Sequence, residues 1–263
     1  MPHERLYRTE AIVLRRADLG EADRLLTIFT PGRGKLRVVA KGARKPASRK
    51  SGHVELFTRS NLLIAKAREL DIVSQAETVE SYRPLREDLL RSTYAHYFAE
   101  LLDRFTGEEE ESGELYDLLA DTLSHLCDAP TQHAALVARY YELHLLALAG
   151  YQPRLFDCVN CGKPLREVDS ETPPYGFDFA RGGVLCDKCA PQARDMLPLS
   201  LAALKVLRHA ARVDWPAFAA LSLRPLVARE VEQAMQRYIT YVLERNLKSV
   251  EFLRTLRLEM TTE

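Results

Sequence analysis

The chain has 263 residues, of which 46% are hydrophobic and 28% are charged, and its 37 basic residues balance its 37 acidic ones. This composition is typical of a soluble globular protein with a sizeable core, arranged as one large domain or as two or three small ones. No run of about 18 apolar residues occurs, and the N-terminus lacks the apolar segment of a signal peptide. We therefore expect a cytoplasmic protein without a membrane span, in which the five cysteines are metal ligands or buried thiols rather than disulfides.

The neutral total hides an uneven distribution of charge. Residues 1–60 hold 14 Lys and Arg against 6 Asp and Glu, whereas the remaining residues hold 23 against 31. The densest part is the segment 34–50, GKLRVVAKGARKPASRK, which has seven basic residues and no acidic one. A basic N-terminal part followed by an acidic remainder predicts a polyanionic partner for the basic part.

The first 80 residues predict a β domain. The segments RTEAIVLRR, ADRLLTIFT, KLRVVAKG, RSNLLIAK and LDIVSQAET are apolar or alternate with charge, and turn-forming residues separate them. A small closed barrel of the oligonucleotide/oligosaccharide-binding (OB) type fits these strands, and such barrels commonly bind nucleic acid. The pattern alone also allows an SH3-like barrel.

From Tyr82 onward the hydrophobic period becomes helical. Helices are predicted over 83–105, 114–127 and 131–150, and the last is apolar nearly all round, as a central buried helix is. A Pro- and Gly-rich stretch follows, and helices resume after Ser200, a good N-cap, and again over 225–247. The predicted fold is therefore an α+β multi-domain protein: an OB-fold over 1–80, an all-α domain over 81–150 and 199–263, and a cysteine module over 151–198 inserted within it.

The strongest local motif is formed by two pairs of cysteines, Cys158 with Cys161 and Cys186 with Cys189. Four thiolates supply a closed tetrahedral shell for one zinc ion, which predicts a structural rather than a catalytic metal. The gap of 24 residues slightly exceeds the commonest spacing, and the intervening YGFDFARGGVL is expected to form a hairpin. The alternatives are disulfides or unliganded thiols.

The basic segment is the second motif, and it predicts a DNA-binding surface. Its cations end a strand and continue into a loop, where they neutralise phosphates and make binding sensitive to salt. The alternative for the segment is a solvated loop without a partner. The predicted DNA-binding residues are Lys35, Arg37, Lys41, Arg44, Lys45, Arg49 and Lys50, extended by Arg15, Arg16 and Arg24 unless these three are ordinary surface strand residues.

Catalytic motifs are missing from the sequence. It contains no complete P-loop, no G-x-S-x-G and no H-E-x-x-H motif, so neither an enzyme nor a small-molecule substrate is predicted. Tyr7, Phe29 and Phe57 are candidates for stacking on bases, although core packing is the favoured interpretation of each.

Five longer segments lie in order along nearly the whole chain: AIVLRRADLGEADRLLTIFTPGRGKLRVVAKGARKPASR, LALAGYQPRLFDCVNCG, GGVLCDKCAP, LPLSLAALKVLR and RNLKSVEFL. Through these segments the chain resembles the RecO family of bacterial recombination mediators. This resemblance implies an N-terminal OB-fold, a helical domain and a zinc-binding module. Some members of the family lack the four cysteines, so the resemblance does not make zinc essential to the activity.

The resemblance also implies a function in DNA repair. Members of the family bind single- and double-stranded DNA, anneal complementary strands and, with RecR, help RecA to load onto DNA coated by single-stranded-DNA-binding protein. A cytoplasmic, nucleoid-associated protein that is not an enzyme is expected. The rival interpretations are an RNA-binding OB protein with a zinc ribbon in translation or transcription, a zinc-dependent enzyme, and a protein-interaction scaffold.

Overall fold

The structure, a computed structural model, describes residues 5–168, 170 and 172–261. Its first five strands are β1 (Leu6–Leu19), β2 (Asp23–Thr30), β3 (Gly34–Ala40), β4 (Arg59–Ala65) and β5 (Asp71–Glu80). They close a barrel in the order β1-β2-β3-β5-β4, where β3 and β5 pair in parallel and the other neighbours are antiparallel. The closed barrel with this strand order agrees with the predicted OB-fold.

Alternating apolar residues of the strands fill the interior of the barrel. Successive side chains of a strand point to opposite faces, so the inward positions recur every second residue. Two residues of the segment between β3 and β4, Ala43 and Val54, are also fully buried in this core and fix the segment at both ends. The core consists of Ala11, Val13, Leu26, Ile28, Val38, Ala40, Ala43, Val54, Leu62, Ile64 and Val73.

Helices follow the barrel. They are α1 (Pro84–Glu87), α2 (Leu89–Phe105), α3 (Gly113–Asp128), α4 (Ala134–Leu148), α5 (Leu201–Ala210), α6 (Trp215–Ala219), α7 (Pro225–Leu243) and α8 (Lys248–Thr261). The helix predicted over 83–105 is interrupted at Asp88, whose extended backbone separates α1 from α2. Its carboxylate accepts the Arg91 N–H at 2.9 Å, and this cap is the physical reason for the break. Among the described residues, no helix is long and apolar enough to cross a membrane.

The described residues form two compact units. The first contains those of Met1–Ala134 and Lys248–Glu263, and the second contains those of Ala135–Leu247. The helices α2 and α3 therefore belong to the same unit as the barrel. The predicted three-domain boundaries remain a prediction.

The second unit contains a small sheet. Strands β6 (Tyr175–Asp178), β7 (Gly183–Leu185) and β8 (Leu197–Leu199) lie in the order β7-β6-β8, and β6 and β7 form the predicted hairpin. Ser200 caps α5 as predicted, because its hydroxyl accepts the Ala203 N–H at 3.1 Å. The helix α4 is buried along most of its length, which agrees with its apolar sequence.

Gly34, at the start of β3, is held against the loop 106–112. Its φ is +56°, and a Cβ built on it would lie 1.9 Å from the Glu110 carbonyl oxygen. We expect Gly34→Ala to destabilise the fold by about 2 kcal/mol or more, because the strain and the backbone clash act together. Thermal unfolding measures this loss. Gly32→Ala is the matched control, because nothing lies within 4 Å of its Cβ position, and equal melting temperatures for the two variants would contradict the expectation.

Candidate nucleic-acid interface and metal centre

The basic loop, residues 41–50, begins at a fixed point beside the turn between β1 and β2. The Gly42 N–H donates to Asp23 Oδ1 at 2.7 Å, and the Arg44 N–H donates to the Ala22 carbonyl at 2.9 Å. Between these bonds Ala43 lies fully buried in the barrel core. The Arg44 guanidinium also donates to the Gly20 carbonyl at 3.1 Å, so part of its hydrogen-bonding capacity holds this turn.

Lys50 closes the other end of the basic loop. Its Nζ donates to the Val73 carbonyl of β5 at 2.9 Å, and burial lowers the pKa of this ammonium, although the charge of Asp23 opposes the shift. His53, just beyond, contacts the Thr78 hydroxyl through Nδ1 at 2.8 Å. The predicted DNA contact of Lys50 therefore competes with a role in attaching the loop to β5.

Four cations remain directed outward. Arg37 is exposed on β3, and it lies opposite Thr27 of β2, which in turn lies opposite Arg15 of β1. In the part of the chain that the structure describes, none of the four forms an ion pair. We name them the outward cations: Arg37, Lys41, Lys45 and Arg49.

Lys35 departs from the predicted pattern. Its side chain is only 11% exposed, and its Nζ lies 3.0 Å from Asp103 Oδ1 and 2.9 Å from the carbonyl oxygens of both Asp103 and Thr106. The strand alternation does place Lys35 on the outer face of the barrel, beside Arg37. That part of the face is covered by the end of α2, so we leave Lys35 out of the proposed DNA surface.

The three added arginines also have acidic partners. Arg15 lies 2.5 Å from Asp103 and keeps a side chain that is 54% exposed, which leaves it accessible to a second partner. Arg16 and Arg24 both bind Glu55, and the Arg24 side chain is 17% exposed. Of these three residues, Arg15 is thus the one best placed to extend the basic surface.

We expect Lys35 and Arg37 to respond in opposite ways to the same substitution. Lys35→Met should lower stability by about 2 kcal/mol without weakening DNA binding, because it breaks a largely buried ion pair. Arg37→Met should weaken DNA binding without changing the melting temperature, because its head is exposed and unpaired. Anisotropy titrations with labelled DNA and thermal unfolding give both readouts, and a loss of DNA affinity in the folded Lys35 variant would contradict this assignment.

The aromatic candidates are used mainly by the fold. Phe29 and Phe57 are fully buried, which confirms that they pack in the core. Tyr7 donates from its hydroxyl to Asp71 Oδ2 at 2.9 Å, and the Arg33 guanidinium lies 4.1 Å from the centre of its ring. None of these three aromatic rings is therefore available to stack on a DNA base.

The four cysteines of the predicted metal site come together. Their sulfur atoms all lie within 4.8 Å of one another, and the Sγ atoms of Cys161 and Cys186 are 3.9 Å apart. A tetrahedral site with metal–sulfur distances of about 2.3 Å places its sulfur atoms about 3.8 Å apart, so the cluster fits one metal ion. The turn after the first pair ends at Gly162, whose φ is +70° and whose N–H donates to the Cys158 carbonyl at 2.9 Å.

Backbone hydrogen bonds prepare Cys158 to act as a thiolate. Burial raises its pKa, but N–H groups of Cys161, Cys186 and Asn160 are directed at its sulfur and bring the pKa down to about 6. Burial and hydrogen bonds with the neighbouring thiols raise the pKa of Cys186 to about 11. A divalent cation bound by the four sulfur atoms would favour the thiolate form of each.

The fold and these two sites define a class of protein: an OB barrel with outward cations, combined with helices and a four-cysteine cluster that fits one metal ion. Comparison with known proteins narrows this class. The model for the N-terminal part of Recombination protein O matches residues 3–82, and the model for its C-terminal part matches residues 86–251. The chain therefore belongs to the RecO family of DNA repair proteins.

Similar proteins span nearly the same length. The DNA repair protein RecO of Roseiflexus sp. (strain RS-1) is 42% identical over 259 residues, which cover 98% of this chain and 89% of the relative. The DNA repair protein RecO of Desulforamulus reducens is 37% identical over 95% of this chain and 94% of its own. That of Dehalococcoides mccartyi is 35% identical, with 97% of both chains covered.

Proposed function

We propose that this protein binds single- and double-stranded DNA and anneals complementary strands. We also propose that, with RecR, it promotes the loading of RecA onto DNA coated by single-stranded-DNA-binding protein. The observation that carries the proposal is the set of outward cations on an OB barrel in a member of a DNA repair family. In this proposal the protein is a mediator rather than an enzyme, because the outward cations bind phosphates without forming or breaking covalent bonds.

The chemistry of annealing needs cations more than it needs base recognition. Two complementary strands repel each other through their phosphates, and bound guanidinium and ammonium groups lower this repulsion by displacing counterions. Phosphate contacts carry no sequence information, so the protein accepts any pair of complementary strands. The fixed start and end of the basic loop keep its cations on one side of the barrel.

One structural zinc ion is the proposed occupant of the cysteine cluster. Four sulfur ligands leave no open position for a substrate, so the metal holds the turns of the module together. Cys158, fully buried, and Cys161, exposed, supply the ligands of the first turn, while Cys186 and Cys189 supply those of the second.

A groove in the first unit supports the proposed interaction with single-stranded-DNA-binding protein. It has a volume of about 560 Å³ and lies between β1, α2 and α8. Leu14, Ala99 and the exposed Phe252 give it apolar walls. Its basic lining residues, Arg15, Arg104 and Lys248, outnumber its acidic one, Glu100, which lies 4.0 Å from Arg104. An acidic tail that ends in an aromatic residue, as expected of single-stranded-DNA-binding protein, matches both properties of this groove.

Strand annealing tests the proposed function directly. Two complementary labelled oligonucleotides, free or coated with single-stranded-DNA-binding protein, should anneal faster with the protein than without it. Competition between single-stranded DNA and RNA of equal length separates this function from that of an RNA-binding protein. Failure to accelerate annealing, or a clear preference for RNA, would overturn the proposal.

A further inference from the structure

The helix α7 has one exposed face that the proposed function has not used. Its other face is buried through Val231, Ala234, Met235, Tyr238 and Ile239. The exposed face carries a row at intervals of four residues, and helix geometry makes this row about 18 Å long. We name it the arginine row: Arg229, Gln233, Arg237 and Tyr241.

The two arginines of this row lack the acidic partners that an exposed helix usually supplies. The positions four residues away from Arg229 and Arg237 are occupied by Pro225, Gln233 and Tyr241. Glu232 lies three residues after Arg229, but among the described residues neither arginine forms an ion pair. A row of positive charge without acidic residues complements a polyanion.

Nearby carboxylates have partners of their own. Glu230 accepts the backbone N–H of Ser200 at 2.5 Å and its hydroxyl at 2.7 Å. Glu232 accepts the Gln236 side-chain amide at 3.0 Å. The guanidinium groups of the arginine row are therefore left to face an external ligand.

The tyrosine at the end of the row points to a single strand as that ligand. The Tyr241 side chain is 52% exposed and lies in line with Arg237. Unpaired bases offer faces that stack on an aromatic ring, whereas bases in a duplex are already stacked on each other. Guanidinium groups bind phosphates through paired N–H donors, and Gln233 adds an uncharged donor between them.

We propose that the arginine row binds a second single strand of DNA, distinct from the strand held by the outward cations of the barrel. The inference rests on the proposed function, because annealing brings two strands to one protein. The first strand lies on the barrel of the first unit, and the second lies on α7 of the second unit.

The test compares the double variant R229A/R237A with the wild type, both as full chains. We expect the annealing rate of the double variant to be lower by at least about fivefold. We also expect the affinity for the second strand to depend less on salt, with a decrease of about 1.4 in the slope of log affinity against log salt. Binding of the first strand should stay within twofold of the wild type. R229K/R237K should retain most of the annealing rate, because a lysine still neutralises a phosphate.

Two further variants give the test its specificity. Tyr241→Ala should slow annealing and reduce the number of single strands bound per chain, whereas Tyr241→Phe should leave both unchanged because the ring stacks without its hydroxyl. The control is Arg83→Ala, which removes an exposed arginine already paired with Glu87 and should leave annealing unchanged.

The outcomes separate this inference from the proposed function. If R229A/R237A anneals as fast as the wild type while substitution of the outward cations abolishes annealing, the second-strand site is overturned and the proposed function stands. If R229A/R237A loses a protein partner's stimulation but keeps its own annealing rate, the row binds protein and the inference is likewise overturned. If the wild type does not anneal strands, both the second-strand site and the proposed function are overturned.

Discussion

Replacing Arg37, Lys41, Lys45 and Arg49 with alanine is expected to weaken binding to every DNA sequence alike. Each cation that contacts a phosphate releases counterions, so loss of all four should reduce the slope of log affinity against log salt by about 3 for single strands. At low salt the loss of affinity should be largest, because counterion release drives binding most strongly there. Anisotropy titrations at several salt concentrations measure both effects.

A matched control separates the position of these charges from their number. Alanine at Arg83, Arg166, Arg194 and Lys205 removes the same formal charge from exposed positions elsewhere, and two of these residues are already ion-paired. We expect its DNA affinity and salt slope to match those of the wild type. Equal weakening by both sets would show that net charge, and not the outward cations, governs binding.

Removal of the proposed zinc ion is expected to unfold the cysteine module. Apparent binding free energies of structural zinc reach about 10–16 kcal/mol, and in small metal modules this energy is folding energy. The three strands of the small sheet contain four, three and three residues, too few to replace it by burial. A chelator should therefore release one zinc ion per chain, expose four reactive thiols and remove an unfolding transition of the second unit.

Single cysteine variants define this effect more sharply. Cys158→Ala should lose the metal, because Cys158 is the fully buried ligand and receives several N–H groups. Cys127→Ala is the control, since Cys127 lies outside the cluster, and it should retain both metal and stability. Four thiols that react at once in the untreated protein, or a pair of disulfides, would contradict the zinc assignment.

Local sequence patterns predicted the elements that local physics determines. The alternation of β1 to β5 placed the barrel strands correctly, and the spacing of the four cysteines identified residues that meet in space. The break at Asp88 was not predicted, although an aspartate is a good N-cap. The apolar pattern on both sides of Asp88 is continuous, and this hid the break.

Local sequence patterns did not predict contacts between residues that are far apart in the chain. Lys35 and Arg37 are equivalent in the sequence of β3, and only the covering of one of them by α2, 68 residues away, separates their roles. The sequence around Glu55 did not indicate that its carboxylate would bind Arg16 and Arg24. Helical spacing alone places the residues of the arginine row on one face of α7. Their lack of acidic partners depends on which groups the carboxylates of Glu230 and Glu232 contact.

The first unit places acidic residues directly beside its basic strand β3. Residues 61–134 hold 16 acidic and 6 basic residues, and the loop 106–112 bonds to β3 through the Glu109 N–H and the Lys35 carbonyl at 3.1 Å. In the proposed complex, the outward cations would attract DNA phosphates, and the neighbouring carboxylates would repel them. Both effects would act only within the screening distance of about 8 Å at physiological salt. The carboxylates would thereby limit how far along the barrel a proposed DNA strand extends.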